Sequence, residues 1–359
     1  MGVAAVLLAT ACRSGDDARA RMRRLEPKLL ASEQVDSCLA ELRTIDTASL
    51  IRPADRARYA LLHSMALDKN YIDTTDLSVI APAADYYLRW YRPSRSKKFY
   101  TWYYKARIEE NARRYDAALD GYLHAEQYMG ATNDVYRTRL YFGMERVYMK
   151  TLSFKDAEES VEKALYYAKQ DSNIYNIIVA LSDCSQHASN RGESVLAKEY
   201  LSECSDLLSD SDIYAKGKYY NAKMVYYSSV IPINADSVLL YLNLYINSGV
   251  SINPVSCAVA CVKIDLYDRA EEFIQQYDTT SLSSDDFAYS YYYCRSRIRE
   301  HKGDYQGALS DLRKQENLID RDYMFNVDNE IPYTSDKYHH QISRPRTFAK
   351  SYCYAIVPE

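Results

Sequence analysis

The feature that most constrains the fold is an aromatic residue followed three residues later by alanine, which recurs along the chain. Four such alanines stand at positions 118, 157, 270 and 308, and Ala197 anchors a weaker copy that lacks the aromatic residue. The five alanines are separated by 39, 40, 73 and 38 residues. A period near 39 is typical of helical hairpins stacked in an array. The gap of 73 predicts one degenerate copy, which we assign to residues 213–250. The chain is therefore expected to be all-α.

Apolar side chains continue from each alanine at the spacing of one helix face, so each motif begins the second helix of a hairpin. Small residues such as Ala106 in the preceding helix allow the two helices to approach closely. We assign the following side chains to packing between helices: Trp102, Ala106, Tyr115, Ala118, Tyr122, Ala125, Phe154, Ala157, Ala164, Ala197, Tyr267, Ala270, Tyr305 and Ala308. The pattern predicts an α-α superhelix, a solenoid of about six to seven hairpins. The aromatic-to-alanine spacing favours the tetratricopeptide (TPR) type over HEAT or armadillo arrays.

Composition agrees with long helices and argues against nucleic acid as a partner. The chain has only 10 Gly and 9 Pro in 359 residues, so the residues that break helices are scarce. The formal net charge of −4 supplies no basic field of the kind that nucleic-acid binding requires. The 37 tyrosines suit thin helical layers, in which a ring is buried while its hydroxyl reaches a polar partner.

The N-terminal residues suggest export. Residues 1–12 are apolar almost throughout and end in small residues before Cys12, as in a bacterial lipobox whose cysteine is lipidated. Ala9 stands where that motif prefers Leu, and no Lys or Arg precedes the apolar run. We expect a lipid-anchored protein of the cell envelope, in the periplasm or at the outer membrane, whose only membrane contact is the anchor. The alternative is an apolar N-terminus on a cytoplasmic protein.

Three further stretches carry a family resemblance: residues 36–46, residues 55–62 and residues 68–73. Together with the repeats they resemble the Bacteroidetes-type TPR lipoproteins, over roughly residues 17 to 320. The resemblance implies an exported binding array related to the sensor part of envelope-bound regulators. We expect a signal segment at 1–12, a linker at 13–25, the repeat array at 26–325 and a poorly ordered tail at 326–359.

No residues point to catalysis. No nucleophile, metalloprotease or nucleotide-binding motif is present in the sequence, and the best metal candidate, Cys184 with His187 and Cys204, offers only three ligands. Cys184 and Cys204 fall on apolar helix faces, where free cysteine packs as a small hydrophobic residue. The sequence therefore predicts a non-enzymatic protein with no catalytic residue, no metal and no cofactor.

Pairs in which arginine follows an aromatic residue by four positions predict a partner-binding surface. They are Tyr103 with Arg107, Phe142 with Arg146, and Tyr293 with Arg297. In a TPR array these first-helix positions line the concave groove, where arginine can bind carboxylates. The predicted function is an interaction scaffold for a protein or peptide with acidic and apolar residues. The alternatives are a sensor fragment of an envelope-bound transcriptional regulator and a glycan-uptake lipoprotein. Stacking of each pair within its own helix would also explain the pattern.

Overall fold

The protein is all-α, as the repeat pattern predicts. The computed structural model describes residues 2–89, 91, 94–151, 153–208, 213–279 and 287–328, with side chains from Gly15 to Leu318 inside those ranges. That part of the chain contains sixteen α-helices and no strand. Positions 329–359 of the predicted tail lie outside the described residues.

The sixteen described helices are numbered in chain order. Their bounds are α1 Gly2–Leu30, α2 Val35–Arg43, α3 Pro53–Lys69, α4 Ala81–Tyr87, α5 Arg95–Asn111, α6 Tyr115–Glu126, α7 Asp134–Lys150, α8 Phe154–Asp171, α9 Ile174–Asn190, α10 Ser194–Leu207, α11 Ile213–Ser229, α12 Ala235–Asn247, α13 Pro254–Lys263, α14 Tyr267–Gln275, α15 Ala288–His301 and α16 Tyr305–Asp328. The degenerate copy predicted at residues 213–250 is the hairpin of α11 and α12.

The chain divides into two compact units, residues 1–147 and residues 148–359. In the first unit α5 packs along α6, and their closest approach is set by two small residues. A Cβ placed on Gly121 of α6 would lie 2.9 Å from the Cβ of Ala106 in α5. In the second unit α9 packs on α10, α11 on α12, α13 on α14 and α15 on α16. Each of these pairs is an antiparallel hairpin of the expected kind.

Four hairpin turns are built in the same way. Two residues after the end of the first helix lies a residue with positive φ, which is Arg113, Gly192, Asp265 or Gly303. The amide of the next residue then donates to a carbonyl five residues earlier, as Arg114 does to Glu109 at 2.9 Å. This Schellman arrangement satisfies carbonyls that the end of a helix leaves unpaired. The second helix begins two residues after the positive-φ position.

The structure differs from the sequence analysis at the N-terminus, where α1 runs through the predicted linker at 13–25. Ala18, Met22, Leu25 and Leu29 recur at helical spacing and are buried. The guanidinium of Arg19 donates to both carboxylate oxygens of Asp55 in α3, at 3.1–3.2 Å. An apolar face and an ion pair therefore make this segment part of the first unit. The side chain of Cys12 lies outside the described residues.

The side chains assigned to packing fall into two groups. The alanines at 106, 118, 125, 157, 164, 197 and 270 are fully buried, and Tyr122 is as well. The aromatic residues that begin second helices are less covered, and Tyr267 stacks on His301 of the next hairpin with ring centroids 4.2 Å apart. Tyr305 differs from the expectation, since its side chain is 72% exposed. Among the described residues no later helix follows α16 to cover it.

Candidate functional site

Charged and aromatic side chains of the first unit converge where α3, α5 and α7 lie together. We call this group the tyrosine–arginine cluster, and its members are Asp68, Lys69, Tyr103, Tyr104, Arg107, Glu110, Tyr122, Tyr136, Arg139 and Arg146. Four cations in the cluster face two carboxylates. The cluster therefore carries an excess of positive charge in a chain whose net charge is −4.

The tyrosines form the buried floor of the cluster. Tyr103, Tyr104, Tyr122 and Tyr136 are each less than 4% exposed. The hydroxyls of Tyr104 and Tyr136 are 3.0 Å apart, and the Tyr122 hydroxyl donates to the Glu110 carboxylate. Because rings of this size fix their neighbours by packing and by hydrogen bonds, the charged groups above them are held in defined positions. Burial raises the pKa of Tyr103 to about 12, so the phenol stays neutral.

Two arginines share the carboxylate of Glu110. Arg146 donates from Nε to Oε1 at 2.7 Å, and Arg107 donates from Nη1 to Oε2 at 2.8 Å. Arg107 also donates from Nε to Asp68 at 2.8 Å. Burial of Glu110 opposes ionisation, but the nearby Arg146 and Arg107 outweigh it and lower the pKa of Glu110 to about 2. The carboxylate is therefore ionised at neutral pH.

The other two cations, Lys69 and Arg139, flank a single ring. The Lys69 ammonium lies 5.1 Å from the centroid of Tyr136, and the Arg139 guanidinium lies 5.6 Å from it. Both also reach the hydroxyl of Ser32, in the turn after α1, at 2.6 Å and 3.5 Å. Burial, reinforced by the charge of Arg139, lowers the pKa of Lys69 to about 7, against the opposing effect of Asp68.

Of the six residues predicted to bind a partner, the structure brings three into this cluster: Tyr103, Arg107 and Arg146. Tyr103 is buried, so its ring supports the surface instead of facing a partner. Phe142 is half-buried on α7, on the same helix side as Arg146 by its spacing. Tyr293 and Arg297 belong to the second unit, where Tyr293 is buried and Arg297 pairs with Glu300 at 2.7 Å.

Five members of the cluster were not predicted from the sequence: Lys69, Tyr104, Glu110, Tyr136 and Arg139. One signal was available for Arg139, since positions 139, 142 and 146 have the i, i+3, i+7 spacing of one helix side. No local pattern joins Lys69 to them, because it is placed by the packing of α3 beside α5.

Metal binding finds no support in the described part of the chain, where no group of three or more His, Cys, Asp or Glu side chains could hold an ion. Cys184, His187 and Cys204 are buried in the α9–α10 hairpin. The thiol of Cys204 lies 3.7 Å from the Ser182 hydroxyl, and burial raises its pKa to about 11. A neutral thiol in such a place behaves as a small core residue.

Comparison with known proteins gives the fold class. No protein-family model and no curated protein matches the chain. A Rap protein complexed with competence and sporulation factor is similar in structure, with 11% identity, a TM-score of 0.60, and 95% of this chain and 96% of that chain covered. NprR in complex with its cognate peptide NprX is 16% identical, with a TM-score of 0.58 and coverage of 90% and 97%. The apo form of RapI is 12% identical, with a TM-score of 0.56 and coverage of 94% and 97%.

At these identities the likeness concerns the fold, which is a TPR-like helical repeat. It extends over nearly the whole length of each chain. None of these comparisons supports the more specific resemblance to Bacteroidetes-type lipoproteins.

The predicted localisation, a lipid-anchored protein of the cell envelope, is wrong. It rested on reading residues 1–12 as a signal segment, and the solved proteins that share the fold over almost the entire chain are a Rap protein, NprR and RapI, which give no support for export or an anchor. In the structure α1 continues through Cys12 without a break. Among the helices that the structure describes, none is both long enough and apolar enough to span a bilayer.

Proposed function

We propose that this chain is a non-enzymatic receptor that binds a short peptide on the tyrosine–arginine cluster. The observation that carries the proposal is the excess of cations over carboxylates in a group held in place by buried tyrosines. Groups fixed before a ligand arrives lose little further entropy on binding, which favours affinity. Arginine offers planar, bidentate recognition of carboxylates, and half-buried Phe142 offers an apolar contact beside it.

The solved structures of the same fold supply a second line of support. NprR is in complex with its cognate peptide, and a Rap protein is complexed with competence and sporulation factor. We extend peptide binding from NprR to this chain because helical repeat arrays commonly present extended binding surfaces. The ligand we expect is an extended segment with acidic and apolar side chains.

The proposal is tested by selection from a displayed library of linear ten-residue peptides on the immobilised full chain. The affinity of enriched peptides is then measured by fluorescence anisotropy for wild type, Arg146→Gln and Arg297→Gln. The two arginines form a matched pair, because their side chains are 44% and 46% exposed and each pairs with one glutamate. Circular dichroism checks that both variants remain folded.

We expect Arg146→Gln to weaken peptide binding at least about tenfold, a typical effect of removing an arginine anchor. Arg297→Gln should leave affinity within about twofold of wild type, as expected for an exposed ion pair outside the cluster. If Arg297→Gln weakens binding and Arg146→Gln does not, the peptide binds at Tyr293 and Arg297 in the second unit instead. Failure of the library to yield any binder would refute the receptor function.

A further inference from the structure

Lys69 and Arg139 differ from the other cations of the cluster in what they contact. Among the described residues neither forms an ion pair with a carboxylate, whereas Arg107 and Arg146 are both held by Glu110. Their polar contact is the Ser32 hydroxyl, 2.6 Å from the Lys69 ammonium and 3.5 Å from the Arg139 guanidinium. The surplus positive charge of the cluster is therefore concentrated on this pair.

Two cations held this close repel each other unless an anion lies between them. The buried ring of Tyr136 offsets part of that cost, since both cations lie within 6 Å of its centroid. A hydroxyl such as that of Ser32 accepts hydrogen bonds but carries no charge, so it does not neutralise the repulsion that remains. The pair thus lacks one negatively charged acceptor.

We propose that Lys69 and Arg139 form a subsite for one carboxylate of the bound peptide, with the ammonium and the guanidinium donating to its two oxygens. This inference rests on the proposed function, because it names the chemical group that the peptide presents. A glutamate or aspartate side chain and a free C-terminus supply the same group. The carboxylate takes the place of the Ser32 hydroxyl as the shared acceptor.

The subsite makes peptide binding depend on pH. The pKa of Lys69 lies at about 7 because the group is buried and faces Arg139. The charged or titratable groups around it are Asp68 on its own helix, Tyr136 and Arg139 on α7, and Tyr104 on α5, whose hydroxyl lies beside that of Tyr136. A bound carboxylate favours the ammonium form, so binding takes up a proton from solution near neutral pH.

The test uses four matched libraries of acetylated ten-residue peptides that contain neither His nor Asp. They combine Glu or Gln at the same positions with a free or an amidated C-terminus. Each library is passed over the full-length wild type, over Lys69→Met/Arg139→Gln, and over Lys302→Met/Arg297→Gln. The last variant removes two cations of the second unit whose side chains are 44% and 46% exposed.

We expect wild type and the control variant to retain a carboxylate-bearing library at least about tenfold more strongly than the Gln-amide library. Lys69→Met/Arg139→Gln should lose this preference. The library that is retained shows where the bound carboxylate comes from, either the Glu side chain or the free C-terminus. Equal retention of all four libraries would overturn the subsite while leaving the receptor function intact. Retention of none would refute the receptor function and the subsite together.

A second measurement keeps the test decisive if the double variant does not fold. For a retained peptide, wild-type affinity should fall up to about tenfold between pH 6 and pH 8, as Lys69 loses its proton. In Lys69→Arg the cation stays charged across this range, so affinity should be kept and its pH dependence should disappear. A pH dependence that is unchanged in Lys69→Arg would rule out Lys69 as the group that binds the carboxylate.

Discussion

At the residue scale, four hairpin turns place one residue each in the left-handed conformation, but only two of them use glycine. Arg113 and Asp265 adopt φ of 58° and 60°, whereas Gly192 and Gly303 adopt 79° and 78°. A side chain in this region is strained against its own backbone by about 1–2 kcal/mol. The turn still forms because its two backbone hydrogen bonds and the packing of the flanking helices outweigh that strain.

Introducing glycine at the positive-φ position of one turn and removing it from another should have opposite effects on the free energy of unfolding. Arg113→Gly removes the strain from an exposed position, so the free energy of unfolding should stay constant or rise by up to about 1 kcal/mol. Gly303→Ala introduces the strain and should cost about 1 kcal/mol. Urea unfolding followed by circular dichroism measures both. Clear destabilisation by Arg113→Gly would show that the Arg113 side chain contributes more than its conformation costs.

Glu110 is the residue whose charge stabilises the cluster. Its side chain is 13% exposed, and its pKa falls from 4.5 to about 2 in the folded protein. A depressed pKa means that the stabilisation is complete above the unfolded value and is lost as the pH falls through the folded value. Glu110→Gln should therefore lower the free energy of unfolding by about 1–3 kcal/mol at pH 7.

The difference between wild type and Glu110→Gln should narrow as the pH falls from about 4.5 towards 2, since the wild-type carboxylate becomes protonated there. Glu300→Gln serves as the control, because Glu300 also pairs with an arginine but is 51% exposed. That change should cost no more than about 0.5 kcal/mol. A Glu110→Gln effect that does not vary with pH would mean that its charge is not what stabilises the cluster.

At the element scale, the hairpin of α5 and α6 depends on a close approach that only small residues permit. Alanine is favoured over glycine within a helix by about 1 kcal/mol. At Gly121, however, an added Cβ would lie 2.9 Å from that of Ala106, and neither backbone can move away cheaply. Overpacking of this kind costs about 1–3 kcal/mol and outweighs the gain in helix propensity.

Gly121→Ala should therefore destabilise the protein by about 1–2 kcal/mol, despite the better helix propensity of alanine. Gly130→Ala is the matched control, because a Cβ at Gly130 would have nothing within 4 Å. It should change stability by less than about 0.5 kcal/mol. Urea unfolding compares the two variants. Stabilisation by Gly121→Ala would show that α5 and α6 lie farther apart than the structure has them.

Features that lie within one helix or one hairpin could be predicted from the sequence, whereas those that depend on which helices pack together could not. The hairpin register was predictable because five of the second helices carry an alanine where the first helix of the hairpin approaches. The degenerate copy of α11 and α12 lacks that alanine and was placed only from the gap of 73 residues. Arg107 and Arg146 were found because they follow an aromatic residue by one helical turn. Lys69 and Glu110 were missed because their roles depend on which helices become neighbours. At the N-terminus, the apolar run before Cys12 concealed the spacing of Ala18, Met22, Leu25 and Leu29, which places 13–25 in a packed helix.

At the scale of the whole molecule, a helical repeat chain distributes its stability along the sequence. Each hairpin packs against its neighbours, so the stability of one region depends on its own interfaces more than on distant ones. This local stability can be tested, because each unit contains a glycine at which an added Cβ would clash with a neighbouring side chain. A Cβ on Gly217 of α11 would lie 2.6 Å from a methyl group of Val250, in the second unit.

Gly121→Ala and Gly217→Ala should therefore weaken different parts of the molecule. In hydrogen exchange under native conditions, Gly121→Ala should speed exchange most in α5 and α6, and Gly217→Ala most in α11 and α12. Helices that do not contact the altered hairpin should change less than about threefold, because local openings carry their own free energies. Mass spectrometry of peptic fragments resolves these regions. If either variant accelerates exchange uniformly from α2 to α15, the chain unfolds as one cooperative body and the array description of its stability fails.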